Sequence, residues 1–271
     1  MKTENRVKVI GNKQTRYIIA GALMAVAVIF CLFSGNAAAQ KVKNYRVQVE
    51  GSFPHDATAY TQGLFFHGGD LYETTGQYGQ SSIRKVDLRS GKILNYLSVD
   101  KKYFVEGSCV LNGRMYVLTW MEKVCFVYDI ANMKKIGELR NPREGWGMTT
   151  DGRTLIMSDG SDKIFFMDPL TFMEHRHIDV TLNGKKISYI NELEYIDGKI
   201  WANVYTTDTI LIIDPESGKV EGVVDCRNLL PYAMRRPNTD VLNGIAWDGK
   251  DIYLTGKNWP KIFRVSLREI N

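Results

Sequence analysis

Glu106-Gly107-Ser108-Cys109-Val110-Leu111-Asn112-Gly113 is a polar residue, a glycine, a short apolar run and a glycine turn. The pattern returns four times. It stands at Gln62-Gly63-Leu64-Phe65-Phe66-His67-Gly68 and at Trp146-Gly147-Met148-Thr149-Thr150-Asp151-Gly152. It stands again at Asn191-Glu192-Leu193-Glu194-Tyr195-Ile196-Asp197-Gly198 and at Asn243-Gly244-Ile245-Ala246-Trp247-Asp248-Gly249. Aligned at Gly63, Gly107, Gly147, Glu192 and Gly244, the starts lie 44, 40, 45 and 52 residues apart.

Between these starts, apolar runs are broken by Gly, Asp and Asn about every 8–12 residues, and no long segment after Gln40 has helical period. That is the mark of antiparallel all-β structure. Each start is followed by a second strand, such as Arg114 to Trp120 or Lys199 to Tyr205. A third follows, such as Val124 to Tyr128 or Ile210 to Ile213, and its end is often marked by a turn-opening aspartate: Asp87, Asp129, Asp168 or Asp214. A more polar fourth strand closes the unit, such as Ile93 to Val99 or Lys219 to Val224. Four strands per roughly 40–50 residues, repeated, is the blade of a β-propeller. The expected fold is therefore all-β, a five-bladed β-propeller over residues 40–271. The fifth unit ends after a third strand, Lys261 to Val265, and Asn44 to Gly51 is a spare strand with alternating Tyr45, Val47 and Val49. The spare strand is expected to close the last blade, which removes an exposed edge. A β-sandwich is the rival fold, but it has no reason to repeat at this period.

The chain has 271 residues, 44% of them hydrophobic, enough for a sizeable core. Composition excludes a disordered or collagen-like chain. The net charge of +5 needs dividing before it is interpreted. Residues 1–39 carry Lys2, Arg6, Lys8, Lys13 and Arg16 against Glu4, so the remainder is nearly neutral. The basicity is thus no argument for a nucleic-acid partner, and none is expected.

Those 39 residues read as a targeting segment: a basic stretch to Arg16, an apolar run from Tyr17 to Phe33, then Ala37-Ala38-Ala39. Two readings are open. One is a signal peptide over 1–39, cleaved before Gln40. The other is an uncleaved anchor through residues 17–35, the only case in which a membrane partner is expected. Either way the remainder is exported, periplasmic or secreted. Cleavage would expose Gln40 as the mature N-terminus.

Cys109, Cys125 and Cys226 then remain, an odd count. Cys109 and Cys125 fall on first and third strands with another between them, beyond disulfide reach. Three buried thiols are expected. His175 and His177 alternate on a strand and read as an exposed pair, and no metal-binding spacing is present.

In a propeller the starts of the innermost strands converge near the axis. Here they bring together Gln62, Glu106, Trp146, Asn191 and Asn243. The ends of second strands and the loops after them add Trp120, Tyr205 and Lys257, and Tyr60 and Phe104 precede two of the starts. Aromatic walls around one carboxylate, several amides and one ammonium suit a small polar or cationic guest. Amides line propeller channels in any case, and Trp146 has blade-to-blade packing as a rival role. Glu106 has no adjacent basic residue to pair with, and desolvation near rings should raise its pKa toward that of a proton shuttle. No nucleophile elbow, phosphate loop or serine–histidine pattern occurs, so an enzymatic reaction would take its nucleophile from the substrate.

Phe53-Pro54-His55-Asp56 followed by Tyr60-Thr61-Gln62-Gly63-Leu64 resembles the opening motif of the plant and bacterial glutamine cyclotransferases. Phe104-Val105-Glu106-Gly107, Gly145-Trp146-Gly147-Met148, Ile190-Asn191-Glu192-Leu193-Glu194, Trp201-Ala202-Asn203, Leu242-Asn243-Gly244-Ile245-Ala246 and Thr255-Gly256-Lys257-Asn258-Trp259-Pro260 continue the resemblance in order. It covers residues 45 to 265. It implies a five-bladed propeller that converts the N-terminal glutamine of peptides or proteins to pyroglutamate, releasing ammonia with no cofactor or metal. It further implies that Glu106 is the essential acid and that Tyr60, Gln62, Phe104, Trp120, Trp146, Asn191, Tyr205 and Lys257 bind substrate. Tyr60 and Tyr205 stand where Phe and Trp are usual, and Val105 replaces a Gly. The hydroxyls are expected to tune the substrate, and Val105 to narrow the backbone approach.

In the implied reaction the α-amine attacks its own γ-carboxamide, so the enzyme holds a folded conformer and moves protons. Glu106 carries a proton from amine to leaving nitrogen, while Gln62, Asn191 and Lys257 are donors for the oxyanion. Two rivals stay open: a non-catalytic propeller binding peptides or partners, and a calcium-dependent lactonase type using Glu106 and Glu192. A monomer is expected.

Overall fold

The computed structural model describes residues 41–270. The leader over 1–39 and the mature N-terminus at Gln40 lie outside the described residues. Strands dominate, and one short 3-10 turn at Tyr232–Met234 is the sole helical element among the described residues. No helix among them is long and apolar enough to cross a membrane.

The strands form antiparallel meanders of four. The first runs Thr61–His67, Asp70–Thr75, Ser82–Val86, Ile93–Ser98, and the second Val105–Leu111, Arg114–Thr119, Val124–Asp129, Lys134–Arg140. The third runs Met148–Thr150, Leu155–Ser158, Lys163–Met167, Glu174–Asp179, and the fourth Ile190–Ile196, Lys199–Val204, Thr209–Ile213, Val220–Asp225. The fifth takes Leu242–Trp247, Ile252–Gly256 and Lys261–Ile270, and its outer strand is Lys43–Pro54, from the opposite end of the chain.

Lys43–Pro54 pairs antiparallel with Lys261–Ile270 along nearly its whole length, which explains why the last strand outruns the expected Val265. A bulge between Val49 and Gly51 reverses the side-chain phase. Tyr45 and Val47 pack at the junction of the fourth and fifth meanders, Val49, expected to alternate with them, is 53% exposed, and Phe53, beyond the bulge, packs at the junction of the fifth and first. One pairing goes beyond the repeat pattern. Lys43–Arg46 also pairs in parallel with Gly222–Asp225, so the fourth and fifth meanders share one eight-stranded sheet.

Burial falls from first strand to fourth. Thr61–His67 is almost wholly buried, whereas Ile93–Ser98 is almost wholly exposed. Five apolar clusters fill the junctions. Phe65, Tyr72 and Ile83 meet Val105, Met115 and Phe126; Leu118 and Cys125 meet Met148 and Phe165; Ile156 and Phe166 meet Leu193 and Ala202. Trp201 and Ile210 meet Ile245, Trp259 and Phe263; then Ala246, Tyr253 and Ile262 meet Leu64 and Leu71 of the first meander. The last junction returns the core to where it began.

Polar side chains stitch the same circle at the starts of the first strands. Thr74 Oγ1 donates to the Glu106 carbonyl (2.7 Å), and Ser158 Oγ to that of Asn191 (2.7 Å). Gly244 N donates to Asn203 Oδ1 (3.1 Å), and Asn243 Nδ2 to the Thr61 carbonyl (2.9 Å). Between the second and third meanders the backbone does this itself: Gly107 N donates to the Trp146 carbonyl (2.7 Å). A Cβ on Gly107 would lie 2.5 Å from Met148 N, and one on Gly147 would collide with the Asn191 carbonyl. The repeated glycine is thus the point of closest backbone approach between first strands.

In the fourth meander Glu192 holds that place, and its carboxylate is buried among the first strands. Leu64 N donates to Oε1 (3.3 Å) and Ile245 N to Oε2 (2.9 Å). Two residues on, Glu194 accepts from Trp247 N (3.1 Å) and Thr149 Oγ1 (3.2 Å). Burial pushes the Glu192 carboxyl well above the usual range and Glu194 up to about 8. A carboxyl raised in the folded state binds its proton more tightly there than in the unfolded chain. Its contribution is therefore complete in acid and is lost as pH rises toward that value. Glu194→Gln is expected to lose less stability than the parent between about pH 5 and 8, by on the order of 3 kcal/mol. Urea unfolding across that range measures it; parallel curves would show that Glu194 stays ionised.

The expected turn roles are present. Asp87, Asp129, Asp168 and Asp214 each accept hydrogen bonds from the following turn. Cys109, Cys125 and Cys226 are free and buried, and His175 and His177 are exposed on Glu174–Asp179.

Candidate active site

The same hydrogen bond recurs four times at the mouth of the meanders. Gly76 N donates to the Tyr60 carbonyl, Trp120 N to Phe104, Tyr205 N to Tyr189 and Lys257 N to Val241, at 2.8 to 2.9 Å. Each bond ties the residue after a second strand to the residue just before a first strand. Next to it, the ladder of the first strand is irregular: the register shifts between Thr61 and Gly63, Val105 and Ser108, Ile190 and Leu193, and Leu242 and Ile245. Gln62, Glu106, Asn191 and Asn243 lie in these bulges, which re-aim side chains.

The result is one cavity of about 190 Å³. Its walls are Tyr60, Gln62, Phe104, Glu106, Trp120, Trp146, Asn191, Tyr205 and Lys257, with Gln77 as a tenth residue. All nine residues expected at the site are therefore together. Asn243 is not among the walls; it is fully buried beside them and spends its amide on the Thr61 carbonyl. Val105 is not there either. Its side chain lies in the core between the first two meanders.

Two aromatic groups face each other across the space. Tyr60, Phe104 and Trp120 meet edge to face, with Phe104 6.3 Å from Tyr60 and 5.6 Å from Trp120. Opposite, Trp146 and Tyr205 meet at 5.6 Å and 86°. Gly160, at φ +80°, leaves room for the Trp146 ring, which a Cβ would meet at 2.6 Å. Glu144 joins the groups, since its Oε2 accepts from Trp120 Nε1 (2.9 Å) and Trp146 Nε1 (3.1 Å). Tyr205 carries one more link: Lys257 Nζ lies 5.0 Å from its ring centre and 4.9 Å from that of Tyr60. Both distances are within cation–π range.

Glu106 is 6% exposed, and no hydrogen bond reaches its carboxylate among the described residues. Desolvation holds its pKa well above the carboxylate range. Lys257 pulls it down, while Glu122 and Glu144 push it up. Lys257 is the counterpart: burial lowers its pKa, and Glu106 and Asp240 raise it. The two charges act on each other through space, with neither locked to the other. Among the described residues the acceptors Gln62 Oε1 and Asn191 Oδ1 are buried with no hydrogen-bond partner. Among the described residues no group of three or more His, Cys, Asp or Glu side chains is placed to hold a metal ion. Glu192, a candidate calcium ligand by sequence, is committed to backbone N–H groups on two other meanders.

Sequence reasoning missed Gln77 and Glu144. In the first meander a glycine, Gly76, occupies the place of Trp120, Tyr205 and Lys257, and the next side chain fills the gap. Glu144 precedes the repeat motif and lies outside its frame; the adjacency of Glu144 to Trp146 was the available signal.

A small, largely apolar chamber lined by one carboxylate, one ammonium and two amide side chains defines the class: an all-β protein with an enzyme-like site for a polar guest of about one residue. The glutamine cyclotransferase family model matches residues 22–267, and the chain belongs to that family. It is 39% identical to the glutaminyl-peptide cyclotransferase of Arabidopsis thaliana, over 98% of this chain and 87% of that one. The crystal structure of Myxococcus xanthus glutaminyl cyclase superposes with a TM-score of 0.79 at 32% identity, covering 85% of this chain and all of that one.

Proposed function

We propose that this protein is a glutaminyl-peptide cyclotransferase built on a five-bladed β-propeller, acting on peptides or proteins with N-terminal glutamine. Support for five blades comes from the meander repeat and from the core clusters that return to the first meander. A sandwich would leave both without cause. The observation that carries the chemistry is Glu106: buried, free of hydrogen bonds among the described residues, and lining a cavity that Lys257, Gln62 and Asn191 also line.

The substrate's α-nitrogen attacks the Cδ of its own γ-carboxamide, closing a five-membered lactam. The tetrahedral carbon then expels the amide nitrogen as ammonia. Overall the α-nitrogen gives up a proton and the leaving nitrogen gains one, so a single carboxyl between them suffices. Glu106 takes the first proton and returns it to the leaving group. Desolvation raises its pKa, which makes the protonated form a better donor to the leaving nitrogen than an exposed carboxyl would be. Lys257 and the amide N–H groups of Gln62 and Asn191 face the developing oxyanion. Phe104, Trp120 and Trp146 stack on the substrate and exclude water. Because the attack is intramolecular, most of the barrier reduction comes from holding the coiled conformer.

Release of ammonia from Gln-Ala by the purified protein, with and without chelator, tests the assignment. Turnover unaffected by chelator is expected. No turnover with intact fold would return the protein to a peptide-binding propeller, and chelator sensitivity would favour the calcium-dependent class.

Export with cleavage after Ala39 gives the enzyme its own substrate at Gln40. The mature protein is expected to be lighter by one ammonia than the sequence from Gln40 predicts. Intact mass of the exported protein measures this, and free Gln40 or a retained leader would refute it.

A further inference from the structure

A chamber of about 190 Å³ is well below the size of sites that take larger ligands, and it holds a single residue. The rest of a peptide substrate must leave over its rim. Two of its walls, Tyr60 and Gln77, are also walls of a second, larger cavity of about 650 Å³. Gln77 has φ 91°, a strained value for a residue with a side chain. Its carbonyl accepts from Gln80 N and Ser81 Oγ, each at 3.0 Å, and these bonds hold the ridge in place.

Beyond the ridge the groove is polar, and its charges are unequal. Arg84 is its cation, but that charge is already matched: Nη1 lies 2.9 Å from Asp56 Oδ2 and 3.8 Å from Glu73 Oε2. Asp240 is exposed and makes no ion pair among the described residues. It is held on the rim by Tyr60, whose hydroxyl donates to Oδ2 (3.0 Å). The Tyr60 hydroxyl therefore orients a carboxylate on the rim of the groove. We propose that this groove receives the residues following the substrate's N-terminal glutamine, and that Asp240 makes it favour basic over acidic residues there. The proposal rests on the cyclotransferase reading and adds the class of substrate.

The test compares kcat/KM for Gln-Lys-Lys-amide and Gln-Glu-Glu-amide on the full mature protein. The ratio within one preparation is independent of the active fraction. At low ionic strength the lysine peptide is expected to lead by roughly fivefold, a lead that shrinks near ~1 M salt. Asp240→Asn should bring the ratio toward one, and Asp240→Lys should invert it. Equal use of both peptides by the parent protein, or a ratio unmoved by both substitutions, overturns the proposal while leaving the cyclotransferase intact. Absence of ammonia from either peptide would instead remove the parent reading.

Discussion

Glu106→Gln is expected to lower kcat for Gln-Ala cyclisation by about 10²–10⁴-fold, with much less change in KM. The amide keeps the shape of the acid and its aromatic surroundings but cannot shuttle a proton. The backbone at Glu106 is fixed independently, because Thr74 Oγ1 holds its carbonyl. Stability should move the other way. A carboxyl whose pKa is raised by desolvation is costly to keep ionised, so the neutral amide is expected to unfold at the same temperature or higher. Lost turnover with unchanged or raised Tm separates a proton carrier from a structural acid. The acid limb of the kcat/KM profile, set by the Glu106 proton, should also disappear from the residual activity. Retention of more than about a tenth of the parent rate would remove Glu106 from the mechanism.

The distribution of what the sequence disclosed has a physical basis. Gly63, Gly107 and Gly147 repeat because neighbouring first strands approach too closely for a Cβ, so packing imposes a period that can be seen without coordinates. Residues at fixed offsets from those glycines, such as Phe104, Glu106 and Trp120, inherit that legibility. The bulges do not, because they arise from the match between paired strands rather than from one strand's composition. Without them the position of Asn243 is legible but the direction of its side chain is not. Glu192 shows the same limit. A carboxylate on the axis reads as a ligand or a catalyst until the N–H groups of Leu64 and Ile245 are seen to claim both oxygens. Gln77 escaped because a loop at φ 91° follows no strand periodicity. Tyr60 was legible as a ring, but the use of its hydroxyl depended on Asp240, 180 residues away.

Lys257→Met is expected to cost about 10²–10³-fold in kcat, as for loss of one preorganised oxyanion partner. Methionine reaches a similar length and can lie between the Tyr60 and Tyr205 rings, so the chamber should keep its shape. The pH profile carries the sharper test. Among the described residues, Lys257 is the charge that lowers the Glu106 pKa, against desolvation and the repulsion of Glu122 and Glu144. Removing it leaves only the raising influences. A group that must lose its proton to act as base then does so at higher pH, and the acid limb of kcat/KM should move upward. A limb that stays in place would mean that Lys257 and Glu106 do not sense each other, and the lysine would revert to a packing role between two rings. If both residues serve one proton transfer, the double variant should lose much less than the product of the single losses. Full multiplicativity would instead assign them to separate steps.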